Sequence, residues 1–175
     1  MRKLTDIGWD SWKATDQATL VFVTDNARVL LMHKKRGLGA GKINAPGGRL
    51  ERGETPHAGA IREVQEELLV TPAALEKHGE LSFQFVDGYS IFVHVFRAHA
   101  FAGVPTETAE ARPLWTDVDR IPYASMWQDD VLWVPLLLAS KYFSGRFLFD
   151  GELMLDYDLR DLEVATRLAD PHTVP

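Results

Sequence analysis

Hydrophobic and polar positions alternate over several short stretches of this chain, which is the pattern of half-buried β-strands. Turn-forming pairs separate neighbouring stretches at Asp25-Asn26 and Asp87-Gly88, and Gly151 separates the last two. We therefore expect hairpins at these three places. The predicted strands cover residues 18–24, 28–33, 81–86, 90–101, 112–116, 146–150 and 152–159.

A helical period replaces the alternation over residues 56–68. Thr55 is a suitable N-cap, and the proline after it has the fixed φ that suits the first helical position. Ile61, Val64 and Leu68 then fall on one face at about 100° per residue. This segment is predicted to be an amphipathic helix.

A second, more apolar helix is predicted from Asp129 to about Phe143, where Pro135 indicates a kink or a late start. Strands outnumber helices, and the two do not alternate in a regular βαβ order. We therefore expect an α/β or α+β sandwich in which a mixed sheet lies between helices. Residues 1–17 are polar without a clear period, so we expect an N-terminal extension over 1–17 and a single domain over 18–175.

Composition narrows the classes of function. The net charge of −6 and the pI near 5.5 argue against a basic surface for nucleic-acid polymers. No apolar run approaches the roughly 20 residues of a membrane helix, so we expect no membrane partner. The chain has no cysteine, which excludes disulfides and thiolate catalysis and fits a cytoplasmic protein. A small anionic substrate stays compatible with this charge, since a bound cation can override it locally.

The face of the first helix opposite its apolar stripe carries Glu63, Glu66 and Glu67. Like charges at these spacings repel by a few tenths of a kcal/mol per pair, and the helix dipole disfavours anions late in a helix. Arg62 cannot neutralise three carboxylates. The pattern suits a hard divalent cation such as Mg²⁺ or Mn²⁺. Helical geometry alone leaves this interpretation open beside that of a solvated acidic face.

The spacing around these acids resembles a known motif. Gly48, five residues, Glu54, seven residues and then REVQEE from Arg62 to Glu67 are similar to the Nudix box, G-x5-E-x7-R-E-U-x-E-E-x-G-U. One fixed position departs, because Leu69 stands where the family has a helix-ending glycine. A left-handed residue with a side chain there would cost about 1 kcal/mol.

The resemblance extends from about residue 19 to 162. Over this stretch the chain is similar to the branch of Nudix hydrolases that acts on oxidised purine nucleoside triphosphates. It implies the Nudix α/β/α sandwich with a mixed β-sheet between helices. It also implies Mg²⁺-dependent hydrolysis of a nucleoside triphosphate to the monophosphate and pyrophosphate. Mn²⁺ is the alternative metal, and the protein is expected to be a monomer or a homodimer.

The resemblance assigns the acidic face to metal binding. The metal ligands it implies are Gly47 through its carbonyl, Glu63, Glu66, Glu67 and Glu110. Glu67 is our choice for the proton acceptor, with Glu63 and Glu110 as alternatives.

Two basic residues also take roles from the resemblance. Arg62 is expected to pair with Glu54 and to orient a ligand carboxylate. Lys34 aligns with a basic residue near the nucleotide, although a solvated lysine is nearly as good an interpretation.

Base recognition is expected from Asn44, Trp127, Asp129 and Asp130. An amide offers both a donor and an acceptor to a purine edge, and an indole offers a stacking face. Two adjacent aspartates disfavour joint ionisation, so that one can stay protonated near neutral pH. Without the resemblance, the aspartate pair is interpreted as a helix N-cap.

The resemblance places the pocket walls at Thr19, Phe83 and Phe85, although aromatic residues that alternate along a strand are more often core. Leu38 stands at a pocket position where the animal enzymes of this branch carry an aromatic residue, as do Ile43 and Pro46. Less stacking surface weakens the case for an oxidised purine. The alternatives are a broad nucleotide or nucleoside-diphosphate pyrophosphatase and a non-catalytic nucleotide-binding module.

Overall fold

Eight strands and two helices make up the body of the protein in the computed structural model, which describes residues 1–163. Short 3-10 turns at Leu4–Asp6 and Tyr123–Ser125 complete this part of the chain. The elements are β1 (Asp16–Asp25), β2 (Arg28–Lys34), β3 (Ile43–Asn44), α1 (Pro56–Leu68), β4 (Thr71–Phe85), β5 (Ser90–Ala102), β6 (Ala111–Asp117), α2 (Asp130–Leu138), β7 (Tyr142–Asp150) and β8 (Leu153–Leu162).

The strands form one mixed sheet in the order β3-β2-β1-β5-β4-β7-β8, and β6 pairs with β2 off this path. β1 runs parallel to β5, and β4 runs parallel to β7. The other pairs are antiparallel, including the predicted hairpin of β4 and β5. The expected mixed sheet is therefore confirmed.

Alternate side chains of the central strands pack into two separate hydrophobic cores, one on each face of the sheet. Val21 on β1 lies in a cluster with Val64 and Leu68 of α1. Phe22, the next residue, lies in the other cluster and meets Trp133 of α2 edge-on, with ring centroids 5.6 Å apart. Because successive strand residues point to opposite faces, α1 and α2 cover opposite sides of the sheet. This is the predicted α/β/α sandwich.

The second helix is shorter than predicted. It ends at Leu138 rather than near Phe143, and residue 143 belongs to β7. The cause is Ser140, which has a φ of 58° and donates its N–H to the Leu137 carbonyl at 2.9 Å. This left-handed residue ends the helix in a Schellman-type turn. Pro135 lies inside the helix, so the late start is wrong.

Strand β4 begins at Thr71, well before residue 81, where the sequence pattern placed it. A β-bulge at His78 breaks the alternation, since Lys77 pairs with Phe96 while Gly79 pairs with Val95. The two-residue strand β3 gave too little pattern to be predicted at all.

The N-terminal segment contacts the body, and its last residues belong to the sheet because β1 begins at Asp16. The Leu4 amide donates to Asp156 at 2.8 Å, and Trp12 donates its indole N–H to Gln84 at 2.8 Å. The last part of the predicted domain, residues 164–175, lies outside the described residues. No helix within residues 1–163 has the length and apolar character needed to cross a membrane.

Candidate active site

A cavity of about 420 Å³ lies where strands of the sheet, the start of α2 and the acidic face of α1 meet. It brings together most of the residues that the sequence proposed for the site. These are Thr19, Lys34, Leu38, Asn44, Gly47, Glu63, Glu67, Phe83, Glu110, Trp127, Asp129 and Asp130. Arg62 and Glu66 do not line the cavity.

Glu67 is the most deeply buried acid of α1, with 3% of its surface exposed. Its Oε2 accepts a hydrogen bond from the Gly47 N–H at 2.9 Å. Burial raises the pKa of Glu67 to about 8, although this hydrogen bond and the charge of Lys34 act in the opposite direction. In the folded chain without metal, too little positive charge lies near this carboxyl group to keep it ionised at neutral pH.

Glu63 lies beside Glu67 on the same wall. Burial raises the pKa of Glu63, and repulsion from Glu66 and Glu110 adds to the shift, while Arg62 opposes it. Glu110 itself is partly exposed, and its carboxylate lies 3.9 Å from Arg36 at the cavity rim. Three carboxyl groups thus lie at one end of the cavity, and each disfavours ionisation of the others.

Arg62 lies outside the cavity and donates hydrogen bonds to three of the nearby glutamates. Its Nε and one terminal nitrogen donate to the two oxygens of Glu54 at 2.7 and 2.8 Å, which is the predicted ion pair. Its other terminal nitrogen donates to Glu63 at 2.7 Å and to Glu66 at 3.1 Å. The hydrogen bond from Arg62 keeps the pKa of Glu54 below its ordinary value. Arg62 therefore fixes the direction of the Glu63 carboxylate, and the role of Glu63 as a metal ligand stays a prediction.

The loop of Gly47 and Gly48 approaches this site closely because it has no side chains. A Cβ on Gly47 would lie 2.0 Å from the Thr19 carbonyl oxygen, and a Cβ on Gly48 would lie 2.3 Å from a Glu63 oxygen. Both contacts are far shorter than atoms tolerate. The two glycines let the loop pass between β1 and α1 and present its backbone to the acids.

A divalent cation fits the donor set here. The carboxylate oxygens suit a hard cation, and positive charge would offset the burial of Glu67. Glu63 and Glu66 point to Arg62, whereas Glu67 points to Gly47, so the described α1 acids do not converge on one point. The predicted metal roles of Gly47, Glu63, Glu66, Glu67 and Glu110 stay predictions.

The opposite end of the cavity holds a buried pair of aspartates. Asp129 and Asp130 are 2% and 6% exposed. Asp129 accepts the indole N–H of Trp133 at 2.8 Å, and Asp130 accepts the Trp127 amide at 3.2 Å. Asp129 stands at the N-cap position of α2 but makes no side-chain capping bond. The plain capping interpretation is therefore wrong for Asp129.

Burial changes the acidity of both aspartates. It raises the pKa of Asp129 to about 6, against the Trp133 hydrogen bond. It raises the pKa of Asp130 well above the ordinary value, and repulsion from Asp129 adds to the effect. Two buried carboxyl groups that repel each other cannot readily ionise together, so the pair holds a proton that a surface aspartate would lose.

Aromatic rings form the wall between these two ends. Trp127 meets Phe149 edge-on at 5.6 Å, and the Lys42 ammonium lies 5.3 Å from the centre of the indole ring. Phe83 stacks on Phe147 at 5.2 Å, so it serves the core as well as the cavity. Leu38, 47% exposed, lies at the rim. The cavity therefore offers flat apolar surface to a ring-shaped ligand.

Polar atoms face the cavity from the same wall. A Cβ on Gly39 would lie 2.8 Å from Trp127 Nε1 and 3.2 Å from Asn44 Nδ2, so this glycine keeps the space beside both groups free. The buried Thr19 hydroxyl has no hydrogen-bond partner among the described residues. The Asn44 amide and the Thr19 hydroxyl are thus both available to a ligand.

Several residues of the wall were not predicted from the sequence. Trp133 could have been found from its spacing, because it stands four residues after Asp129 on one helix. Phe149 gave no such signal, since the pairing of β7 with β4 brings it to the cavity. The missed residues that this structure adds are Arg36, Arg49, Tyr89, Trp133 and Phe149.

Comparison with known proteins agrees with this geometry. The family model described as NUDIX domain matches residues 14–137. The oxidized purine nucleoside triphosphate hydrolase of Danio rerio is 45% identical over 147 residues, which cover 83% of this chain and 94% of that protein. The protein of the same description from Mus musculus is 46% identical over the same shares.

Solved structures give the same result for the fold. The crystal structure of a mutator MutT protein from Bacillus halodurans superposes with a TM-score of 0.73 at 26% identity. The match covers 82% of this chain and 97% of that one. With the family match over 14–137 and the long stretches of identity to two hydrolases, this chain belongs to the Nudix family.

Proposed function

We propose that this protein hydrolyses oxidised purine nucleoside triphosphates, such as 8-oxo-dGTP, to the monophosphate and pyrophosphate with Mg²⁺. The observation that carries the proposal is the arrangement of one cavity with two chemically different ends. One end holds Glu63 and Glu67, and the other holds the buried pair Asp129 and Asp130. A nucleotide has the same division between a charged triphosphate and a flat base.

The aspartate end supports recognition of an oxidised base. A pair that holds one proton presents a hydroxyl donor and a carboxylate acceptor side by side. Oxidation of guanine at C8 changes the hydrogen-bonding pattern of the purine edge, and so does oxidation of adenine at C2. Asn44 adds an amide and Trp127 adds ring surface at the same end. Together these groups can match more than one oxidised purine.

The acidic end supports hydrolysis of the triphosphate. Bound Mg²⁺ held by the α1 acids would offset the triphosphate charge, polarise phosphoryl oxygens and lower the pKa of an attacking water. We assign Glu67 as the proton acceptor, and the hydrogen bond from the Gly47 N–H to its carboxylate supports this choice. Lys34 and Arg36 on the cavity wall supply positive charge toward the phosphates. Arg62 keeps Glu63 oriented without entering the cavity.

The test is release of pyrophosphate with Mg²⁺ from a panel of 8-oxo-dGTP, 2-hydroxy-dATP, dGTP, dATP and ADP-ribose. We expect the highest kcat/KM for the oxidised purines. The substrate assignment fails if neither oxidised nucleotide exceeds its unmodified parent. An excess for ADP-ribose would favour the broad pyrophosphatase, and binding without turnover of any nucleotide would favour the non-catalytic module.

A further inference from the structure

We propose that Glu76, His78 and His99 form a second metal site, suited to Zn²⁺, that is separate from the active site. Glu76 and His78 lie on β4, and His99 lies on the neighbouring strand β5. At about 3.3 Å per strand residue, Glu76 is roughly 20 Å along β4 from Phe83 in the cavity wall. The cluster therefore lies well away from the cavity along the β4–β5 ladder.

The spacing of the three side chains suits one ion. A single Glu76 oxygen, Oε2, lies 3.5 Å from His78 Nε2 and 3.6 Å from His99 Nε2. All three atoms lie within 4.8 Å of one another. Two ligands held at about 2.0–2.1 Å in a tetrahedral arrangement stand about 3.3 Å apart. A small inward movement of the exposed Glu76 and His99 completes that geometry.

His78 carries the inference because its ring is buried, oriented and incompletely bonded. It is 0% exposed, and its Nδ1 lies 2.9 Å from the Lys141 carbonyl, which can only accept a hydrogen. Nδ1 therefore donates to this carbonyl, and in the neutral ring Nε2 offers a lone pair. This Nε2 has no hydrogen-bond partner among the described residues and faces the Glu76 carboxylate. A cation between the two removes the repulsion of their lone pairs.

The backbone directs His78 toward this point. The residue is the extra one of the β-bulge in β4, and bulges commonly re-aim a side chain. Tyr142 stacks on its ring at 5.1 Å with an interplanar angle of 13°. A histidine ligand that donates its second nitrogen to a backbone carbonyl is the usual arrangement at metal sites.

Glu76 is held by a partner of its own. The Tyr142 hydroxyl donates to Oε1, which leaves Oε2 toward the histidines. Arg97 is opposite Glu76 on β5, but its guanidinium donates to Thr24, Ser140 and the Leu138 carbonyl. Oε2 of Glu76 therefore faces the two imidazole rings and does not share an ion pair with Arg97.

The donor types select the metal. Two imidazole nitrogens and one carboxylate favour Zn²⁺ over Mg²⁺, which prefers oxygen ligands. Glu76 and His99 have side-chain exposures of 45% and 43%, so the ion can enter and water can take the fourth position. The rival interpretation is a plain salt bridge between Glu76 and His78 without a metal.

The experiment is a calorimetric titration of the tag-free, chelator-treated full chain with Zn²⁺ in excess Mg²⁺. The variants are Glu76→Gln and His99→Gln, which change exposed side chains and are expected to fold. His57→Gln is the matched control, because His57 is exposed on α1 and outside the cluster. Circular dichroism without Zn²⁺ checks that each variant is folded.

We expect wild type and His57→Gln to bind one more Zn²⁺ than the two cluster variants, or to bind it more than tenfold more tightly. Co²⁺ in place of Zn²⁺ should give the intense visible bands of a tetrahedral site, and these bands should be absent from the cluster variants. Zinc uptake common to all four proteins is assigned to the α1 acids. Equal stoichiometry and affinity in all four would overturn the proposal.

Discussion

Asp129 and Asp130 are adjacent acids whose chemistry is determined by what surrounds them. Both carboxyl groups are almost fully buried, and each accepts one N–H, from Trp133 and from Trp127. These hydrogen bonds favour the ionised form, but burial acts more strongly in the other direction. The pair therefore keeps a proton that a surface pair would lose, and near neutral pH it can both donate and accept a hydrogen bond.

Asp129→Asn tests this pair with little disturbance of the fold, since an asparagine oxygen can still accept the Trp133 N–H. In wild type we expect kcat/KM to change as the pH falls through about 6, where Asp129 gains its proton. In the variant this change is expected to disappear, and the preference between oxidised guanine and oxidised adenine is expected to shift. The measurement is kcat/KM against pH for both substrates. A uniform loss together with a lower Tm would indicate a structural role instead.

Glu67→Gln separates chemistry from stability at the acidic end. Removal of a general base costs about 10²–10⁴-fold in rate, and loss of a metal ligand adds to this. Glutamine can still accept the Gly47 N–H, so we expect the variant to fold. The measurement is the rate of pyrophosphate release under saturating substrate and Mg²⁺. Glu51→Gln, at an exposed position, is the control, and near-normal turnover of Glu67→Gln would exclude Glu67 from the reaction.

At the scale of elements, α1 was the part that the sequence predicted best. Its N-cap, its proline and its apolar period are all local signals, and the helix covers the predicted residues. The ends of α2 and β4 were wrong because Ser140 and the bulge at His78 produce no such signal. The acids of α1 were found for the same reason as the helix. Phe149 reaches the site only through parallel pairing of strands far apart in sequence.

Leu69 gives an element-scale prediction, because it ends α1 in a left-handed conformation with φ 58° and ψ 32°. That conformation costs a residue with a side chain about 1–2 kcal/mol, whereas glycine loses about 0.5–1 kcal/mol of extra entropy on folding. Leu69→Gly is therefore expected to raise the free energy of unfolding by about 0.5–1 kcal/mol. Urea unfolding measures this change in free energy, provided that the variant and wild type have the same m-value. Leu69→Ala is the control, since it keeps the Cβ, and equal stabilisation by alanine would contradict the explanation.

At the scale of the whole molecule, the cavity takes residues from the helices on both faces of the sheet. Glu63 and Glu67 come from the helix on one face of the sheet, while Asp129 and Asp130 begin the helix on the other face. Neither helix supplies both kinds of group. Sequence could predict the chemistry of each half, but their separation across one cavity depends on the completed sheet.

The stability of the whole protein without metal is expected to depend on pH through its buried carboxyl groups. The raised pKa of Asp130 acts in the same direction as that of Glu67, which is the group tested by substitution. The Glu67 pKa of about 8 in the folded state lies above the ordinary 4.5, so the folded state keeps a proton that the unfolded chain has released. This contribution is fully present below pH 4.5 and is lost as the pH rises through about 8. His94, whose pKa burial lowers to about 4 from 6.5, has the opposite effect, but only below pH 6.5.

Above pH 6.5 we therefore expect the Tm in a chelator to fall with rising pH. Each unit of pKa shift corresponds to about 1.4 kcal/mol, so the fall is large enough to measure. Saturating Mg²⁺ binds the ionised form of Glu67 and is expected to flatten this dependence, with its largest stabilisation above pH 8. Glu67→Gln should show a flatter curve in chelator and a smaller response to Mg²⁺. Calorimetric scans with and without Mg²⁺ measure both, and a wild-type Tm that stays level in chelator over this range would contradict the account of Glu67.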